Sequence, residues 1–464
     1  MRRVTEYICT VLGRVLFIGL SIQIIMGLLW MCGNLTGFQE FGESYLYLQA
    51  GENLICDEYT GILYPLFLVL VRAVAALLSL PYYTLVYVCQ LAAACYGGYR
   101  FWKSLGKIGR FFPAWGTLSL LTLPAAMQCH LAVLPDSFAG TALLLELSFL
   151  WELIKRKRKE NRALAGLGIT YLAGTLLMPD YVLFGAVPVL IGLVFGIFVY
   201  LRSVKKRNGN QKRLVLGLCT LGLCLAGIGV LGPLTQTRGS YGRARRTPEL
   251  MALSRFAGSC LEDTYGYWPE DLKACLSEEE IRRSSQYAGD VWQVFGKAVQ
   301  ERLGMERADE VFRQVAEAGY QVYYVRVRHD LVWDLASYTF SPFFLQLQLA
   351  DRGYSSYSGR NYDIMRMKEP VLTRYYVNYG SWWFAAGLAL AGLWQLVYWA
   401  DRLLWKKKLW NGRNIALCCC CFAIGGSMVL WYTLQGAGMM DYKNTVPVAL
   451  FWMMWMTAAA QRAR

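Results

Sequence analysis

Runs of about 20 apolar residues recur along the whole chain, and a helix of that length matches the thickness of a lipid bilayer. Apolar residues make up 56% of the 464 residues before the 44 glycines are counted, more than the share of about 45–50% usual in soluble domains. This pattern predicts an all-α polytopic membrane protein of about 10–11 transmembrane helices. The eleven candidate helices are 11–31, 61–80, 83–101, 111–126, 137–154, 163–178, 181–201, 213–233, 381–400, 414–434 and 445–460.

The net charge of +15 is unevenly distributed. Lys and Arg are concentrated in short stretches between the apolar runs, at 100–110, 155–162, 202–213 and 402–413. By contrast, 32–60 has no Lys or Arg and five acidic residues. Because basic loops stay on the cytoplasmic side of a membrane, this alternation predicts a multi-pass protein of the cell membrane with cytoplasmic N- and C-termini. Nucleic-acid binding is disfavoured, because the basic residues flank apolar segments and form no basic domain.

The same pattern divides the chain into three parts. Residues 1–233 form an N-terminal transmembrane module, 234–380 an extracytoplasmic segment, and 381–464 the C-terminal transmembrane helices. Ten crossings, seven before the extracytoplasmic segment and three after it, satisfy the charge of every loop but one. Between acidic 32–60 and basic 100–110 the number of crossings should be odd, yet two apolar segments occur there. Either one of them is re-entrant, tilted or part of a single bent unit, or the charge rule fails at this loop.

The extracytoplasmic segment has the composition of a small, mainly helical domain, with 19 basic and 19 acidic residues. Ser277 and Glu280 have the spacing of a helix-capping box. The stretches Val291–Ala298 and Ala308–Val315 repeat apolar residues at helical spacing. Tyr323–Val327 is interpreted as a short extended or buried stretch, because its residues are aromatic or β-branched around a single arginine.

Acidic residues beside the apolar runs are the candidates for chemistry. In the first outer loop, Glu43, Tyr47 and Ala50 are spaced to share one face of a short helix. A carboxylate near lipid headgroups meets a low dielectric that raises its pKa, which suits a general base. The alternative is that these acids only mark an outer loop. Asp136 and Asp180 each precede an apolar helix, where a cap is the alternative role.

Further candidates are the acids Asp57, Glu58 and Asp441 and the cations Arg246 and Lys443. Lys443 is the one cation in any of the predicted short outer loops, which favours a phosphate-binding role. Arg246 belongs to an arginine cluster after helix 213–233 and either anchors the chain at the interface or binds an anionic leaving group. No metal-binding, nucleotide-binding or nucleophile motif is present, so no metal ligand is assigned.

Taken in order, these motifs resemble those of the GT-C superfamily of membrane glycosyltransferases, in particular the protein O-mannosyltransferases and the bacterial lipid-A aminoarabinose transferases. Their first outer loop has the form acid-x-x-x-Tyr-x-x-Ala, followed by proline at the start of the next helix. Here Glu43-Ser-Tyr-Leu-Tyr47-Leu-Gln-Ala50 precedes Tyr64-Pro65-Leu66. Pro135-Asp136-Ser137 resembles their second acidic site, and Met178-Pro179-Asp180 resembles a later step.

The resemblance implies a GT-C-like bundle that transfers a sugar from a polyprenyl-phosphate donor to an extracytoplasmic acceptor by a single inverting displacement. Glu43 would take the acceptor proton and Asp136 would orient the acceptor or Glu43. Substrate contacts would come from Tyr47, Asp57, Glu58, Asp180, Arg246, Asp441 and Lys443. The families usually carry Asp-Glu or Asp-x-Asp in the first loop, whereas this chain has Gly42-Glu43, so a requirement for a divalent metal, Mg or Mn, is left open.

Two other classes of function remain open. A lipid or polysaccharide transporter or flippase predicts charged residues inside several spans, and the chain offers chiefly Arg72 and Glu146. A non-catalytic envelope scaffold is the other alternative, because the first-loop aspartate of the resembled families is missing. The predicted partners are membrane lipids and the lipid-linked sugar donor.

Overall fold

The structure is a computed structural model. It describes residues 2–34, 44–54, 60–105, 117–118, 121–154, 160–179, 181–205, 211–235, 244, 247–257, 261–286 and 291–344, and a few single residues between 382 and 430. These residues are almost all helical and include no strand, which confirms the all-α prediction. The first part contains α1 (Arg2–Asn34), α2 (Ser44–Asn53), α3 (Leu63–Leu78), α4 (Tyr82–Leu105), α5 (Pro124–His130), α6 (Asp136–Ile154), α7 (Glu160–Leu177), α8 (Tyr181–Lys205) and α9 (Gln211–Thr235).

Helices α6 to α9 pack around α7, which contacts α6, α8 and α9 and also α3. Small residues allow this close packing. A β-carbon at Gly217 would lie 3.0 Å from the Cα atom of Asn161, and one at Gly168 would lie 3.1 Å from the Cα atom of Leu221. Glycine therefore lets the α7 and α9 backbones approach each other at two levels of the bundle.

Helices α3 and α4 form an antiparallel pair of unequal length. At about 1.5 Å per residue, the 16 residues of α3 extend about 24 Å and the 24 residues of α4 about 36 Å. Ser79 ends α3 in the left-handed conformation, with φ 53°. Near this turn the Arg72 guanidinium lies 5.4 Å from the centre of the Tyr82 ring. Arg72 also pairs with Glu52 of α2 at 3.2 Å and is half-exposed.

The helix predicted over 111–126 is interrupted. Leu123 has φ −58° and ψ 140°, and Pro124 begins the separate helix α5. The physical reason is that a residue before proline is pushed out of the helical region by the proline ring, while proline itself fits the first position of a helix. The prediction of one continuous helix to residue 126 is therefore wrong.

Within the described part of the chain, Asp136–Ile154 is the one helix with both the length and the hydropathy of a membrane span. Four apolar stretches are shorter, namely Phe17–Cys32, Leu63–Leu78, Gly185–Leu201 and Leu214–Val230. Helix α1 carries a stripe of exposed apolar side chains that recur every three or four residues. The stripe consists of Val11, Val15, Ile18, Ile22, Ile25 and Leu29.

A second hydrophobic core, separate from those of the first part of the chain, lies within residues 244–316. Its elements are α10 (Pro248–Phe256), a 3-10 helix (Glu262–Tyr267), α11 (Glu270–Cys275), α12 (Glu278–Gln286), a π-helical turn (Val291–Gly296), α13 (Lys297–Leu303) and α14 (Met305–Phe344). Leu250, Phe295 and Phe312 are completely buried in it. The capping box is confirmed, because the Ser277 backbone N–H donates to Glu280 Oε2 at 2.8 Å and the Glu280 N–H donates to Ser277 Oγ at 3.3 Å.

The interpretation of Tyr323–Val327 as extended is wrong, because these residues continue α14 beyond a break at Tyr323, where φ is −123° and ψ is 28°. Tyr324 and Val325 are also exposed rather than buried. The local composition favours a strand, yet the helix formers on either side and the backbone hydrogen bonds of a long helix override that preference.

Because of the Glu280–Arg302 ion pair, the stability of this second core should depend on pH in the acidic range. Arg302 donates to both carboxylate oxygens of Glu280, at 2.8 and 3.1 Å, and with the Ser277 N–H lowers the Glu280 pKa from 4.5 to about 2. A carboxyl group whose pKa is lowered by folding stabilises the fold at pH values above its pKa in the unfolded chain. For Glu280 this contribution is lost as the pH falls from about 4.5 to 2.

Replacing Arg302 with Gln should therefore lower the unfolding temperature of the full chain in detergent by an amount that is constant above about pH 5 and shrinks below it. The matched control is Lys273→Gln, which breaks a pair with Glu270, whose side chain is 89% exposed, and should show no such pH dependence. A difference between wild type and Arg302→Gln that stays the same down to pH 3 would contradict the prediction.

Candidate functional site

Aromatic side chains join α2, α3 and the start of α6. The Tyr47 ring of α2 meets the Tyr64 ring edge-on, with centroids 5.4 Å apart. Phe138, in the first turn of α6, lies 6.2 Å from Tyr64 and 4.9 Å from Phe67. We call these four residues the aromatic cluster. It places the loop-one motif next to the Pro-Asp-Ser motif, although about 90 residues separate them in the sequence.

Gln90 of α4 holds the turn before α6 through its side-chain amide. The Tyr64 hydroxyl donates to Gln90 Oε1 at 2.8 Å, and Gln90 Nε2 donates to the backbone oxygens of His130 and Ala132 at 2.9 Å each. All of these groups are buried. Gln90 therefore gives the buried carbonyl groups at the end of α5 and in the turn after it a side-chain donor, which buried backbone oxygens need.

A buried histidine ties α5 to α6. The His130 Nδ1 atom and the Ser137 hydroxyl are 2.7 Å apart, and both side chains are buried. The contact fixes the first turn of α6, of which Asp136 is the first residue. The Asp136 carboxylate is partly exposed and is close enough to the Tyr64 hydroxyl for an electrostatic interaction.

A third turn meets the same end of the bundle through backbone contacts. Gly61 has φ 63°, a conformation that favours glycine, and the next residue, Ile62, donates its N–H to the Leu176 oxygen at 2.9 Å. A β-carbon at Gly61 would lie 2.6 Å from the Leu176 oxygen and 2.8 Å from the Leu177 oxygen. The start of α3 therefore lies directly against the end of α7, where Met178 and Pro179 follow.

Three turns that carry sequence motifs thus converge at one end of the helix bundle. They are the turn before α3, the turn before α6 and the turn after α7. Of the predicted site residues, Tyr47 and Asp136 are described, and both lie beside Tyr64. Glu43, Asp57, Glu58, Asp180, Arg246, Asp441 and Lys443 lie outside the described residues. In the sequence Glu43 directly precedes α2, and Asp180 directly follows Pro179.

A buried carboxyl group occupies the interior of the bundle. Glu146 of α6 is completely buried and interacts with the Tyr181 hydroxyl at the start of α8. Gly174 and Gly185 make room for the Tyr181 ring, because a β-carbon at either position would overlap it. Glu146 therefore connects the middle of α6 to the start of α8, which follows the turn after α7.

Among the residues whose positions the structure describes, no group of three or more His, Cys, Asp or Glu side chains is close enough to hold a metal ion.

Replacing Gln90 with Leu should cost about 3 kcal/mol of unfolding free energy, because it leaves the Tyr64 hydroxyl and the two 2.9 Å carbonyl oxygens buried without these hydrogen bonds. Tyr64→Phe removes only the bond to Gln90 Oε1 and should cost about 1 kcal/mol. Denaturant titration in detergent measures both.

The matched control is Gln49→Leu on the exposed side of α2, with an expected change within about 0.5 kcal/mol. If Gln90→Leu and Gln49→Leu have equal effects, the amide of Gln90 does not hold the turn before α6.

Sequence reasoning did not find Gln90 or Gly61, and it named Ser137 only as part of the Pro135-Asp136-Ser137 motif. Gln90 lies in an apolar helix and bonds to residues 26 to 42 positions away, so no local pattern marks it. In the sequence, Gly61 is distinguished only as a glycine that precedes a helix. Family models, curated proteins and solved structures were compared with the chain, and none of them matches it.

Proposed function

We propose that this chain is an integral membrane glycosyltransferase that moves a sugar from a polyprenyl-phosphate donor to an acceptor outside the cytoplasm. The observation that carries the proposal is the convergence of three motif-bearing turns at one end of the bundle. The turn before α3, the Asp136 turn before α6 and the turn after α7 are remote in sequence but meet around Tyr64, Gln90 and Gly61. Such convergence of acid-bearing turns is what a catalytic pocket requires.

Exposed apolar surfaces support the placement in a membrane. Besides the stripe on α1, large apolar side chains are exposed on one side of α8, at Leu190, Val194 and Leu201. A soluble surface rarely carries contiguous patches of this kind, whereas lipid chains cover them at no cost. Basic loop residues flank the same helices in the sequence, as the positive-inside rule expects.

The unequal lengths of α3 and α4 also support this topology. Of these two helices only α4, at about 36 Å, exceeds the hydrocarbon thickness of about 30 Å. We infer that α4 provides the single crossing between the acidic first loop and the basic stretch 100–110. Helix α3 is then a short arm, packed on α2 by the Glu52–Arg72 pair and by Leu68 beneath Gly51. This arrangement gives the odd number of crossings that the charges require.

In the proposed reaction the acceptor hydroxyl attacks the anomeric carbon of the donor sugar. The new carbon–oxygen bond forms on one face while the bond to the phosphate oxygen breaks on the other, so the configuration inverts. The transition state has oxocarbenium character. Glu43 takes the proton of the hydroxyl, and the electron pair of the broken bond leaves with the polyprenyl phosphate.

The other site residues bind and orient the two substrates. Asp136 orients the acceptor or Glu43, and Lys443 or Arg246 stabilises the charge on the departing phosphate. The packing of α2 supports the role of Glu43, because Tyr47 and Ala50 are buried against the neighbouring helices and fix the helix that Glu43 precedes. A rigid support of this kind is needed to hold a general base in place.

The test is a transfer assay with the purified full chain in proteoliposomes. Polyprenyl-phosphate esters of radiolabelled mannose, glucose, galactose and aminoarabinose serve as donor probes, and a cell-envelope extract serves as acceptor. Label moving from at least one donor to the acceptor fraction, together with free polyprenyl phosphate, is the expected result. Intact donor that crosses the bilayer would instead assign the chain to the transporters, for which the buried Glu146 would be the natural polar site. Donor that neither reacts nor moves would overturn the proposal.

A further inference from the structure

Helix α14 has two halves with different surroundings. In the first half, Ala308, Val311, Phe312 and Val315 are completely buried in the second core. In the second half, after Tyr323, only Val327 is buried among the side chains that the structure describes. The first half therefore belongs to the domain, and the second half extends beyond its core.

The change occurs at the break in the helix. The Tyr323 backbone departs from helical angles, and its hydroxyl donates to Asp263 Oδ2 at 2.8 Å. Asp263 belongs to the 3-10 helix of the second core, so this hydrogen bond attaches the break to the domain. The break is therefore a kink at which two helical segments meet.

The second half exposes a narrow apolar surface. Tyr324, Val325, Val332 and Leu335 are 52%, 63%, 69% and 44% exposed. At 3.6 residues per turn these four positions fall within an arc of about 100° on one side of the helix. We call this surface the apolar arc of α14.

Charges are arranged around this arc in a way that favours an anionic lipid surface. Arg328 lies within the arc and is exposed, and its long side chain is able to reach lipid phosphates while its stem stays among apolar groups. By their spacing Arg326, Asp330 and Asp334 all fall on the other side of the helix. A tyrosine and an arginine beside exposed apolar side chains suit the boundary between lipid headgroups and acyl chains.

The position of the helix in the chain points to the same partner. It follows α9, which the proposed topology places across the membrane, and it precedes the apolar run 381–400. A second copy of this chain is a less suitable partner for the arc. In a two-fold symmetric contact between two arcs, Arg328 of each copy would lie against the apolar arc of the other. We propose that the second half of α14 lies in the outer leaflet interface, with the apolar arc among acyl chains and Arg328 on lipid phosphates.

The experiment measures the depth of single positions in the full chain. A fluorescent amino acid is inserted by amber suppression, because the 14 native cysteines complicate labelling through thiols. The chain is reconstituted in nanodiscs of phosphatidylglycerol and phosphatidylcholine with brominated acyl chains, which quench nearby fluorophores. Fluorophores at Val332 and Leu335 should be quenched at least twofold more than one at Asp334, on the opposite side. The positive control is Leu223, 74% exposed on α9.

Each outcome decides the proposal. Quenching at Leu223 without quenching at Val332 and Leu335 would overturn the interfacial helix and leave the membrane bundle intact. Equal quenching at Val332, Leu335 and Asp334 would mean that the helix is immersed rather than interfacial, which also overturns it. A lack of quenching at Leu223 as well would contradict the membrane placement itself. Arg328→Glu should reduce quenching at Val332 more in discs with phosphatidylglycerol than in discs without it, and an equal reduction would contradict the role of Arg328.

Discussion

Replacing Glu43 with Gln is expected to lower the rate of sugar transfer about 10²–10⁴-fold, because the amide has no basic oxygen pair to accept the acceptor proton. The change keeps the size of the side chain, so binding of the donor and the unfolding temperature should change little. The effect should therefore appear in kcat, measured with saturating donor in proteoliposomes. Activity of the variant should not recover at higher acceptor concentration.

The matched control is Glu52→Gln, nine residues further on and just beyond the buried face of α2. Glu52 is exposed and pairs with Arg72 at 3.2 Å, so its loss removes a surface ion pair and no catalytic group. The transfer rate of Glu52→Gln should stay within about threefold of the wild-type rate, which corresponds to a difference of less than about 1 kcal/mol in activation free energy. If Glu43→Gln retains the wild-type rate, Glu43 is not the base and the proposed chemistry must be abandoned.

Replacing Gly61 with Ala is expected to destabilise the protein by roughly 2–4 kcal/mol and to abolish most transfer activity. Two effects add. A residue with a β-carbon is strained at φ 63°, and the new carbon would lie 2.6 Å from a backbone oxygen, which cannot rotate away as a side chain can. The start of α3 must then withdraw from the end of α7, which separates two of the three converging turns.

Gly222→Ala and Gly229→Ala are the matched controls, because both glycines lie in α9 and a β-carbon there would meet nothing within 4 Å. Alanine is the better helix former by up to about 1 kcal/mol, so these variants should be as stable as wild type or slightly more stable. Denaturant titration in detergent gives the free energies. A Gly61→Ala variant that matched these controls would show that the α3–α7 contact is not needed.

The sequence predicted most of the helices in the first part of the chain because apolar run length and flanking charge are local properties. The predicted run 137–154 corresponds to the observed helix Asp136–Ile154. The predicted run 181–201 corresponds to Tyr181–Lys205, which continues into the basic residues after the run. The short helix α2 was predicted from the spacing of Glu43, Tyr47 and Ala50. The break at Leu123 was missed, although Pro124 marks it, because the apolar run continues through it.

The site was less accessible to prediction because its contacts are remote in sequence. Nothing near Gln90 indicates that its amide bonds to Tyr64 on one side and to the His130 and Ala132 carbonyls on the other. The interpretation of Tyr323–Val327 failed for the opposite reason, since a local preference for extended structure was overridden by the long helix around it. The roles of Glu43, Asp57, Glu58, Asp180, Arg246, Asp441 and Lys443 remain predictions.

The docking of Gly61 and Ile62 on Leu176 has a consequence for biosynthesis. The ribosome releases the first loop more than a hundred residues before it releases the end of α7. A nascent chain that stops before Leu176 therefore contains the Glu43 motif but lacks the surface on which the following turn rests. The order of synthesis therefore keeps the loop without this support until α7 is made.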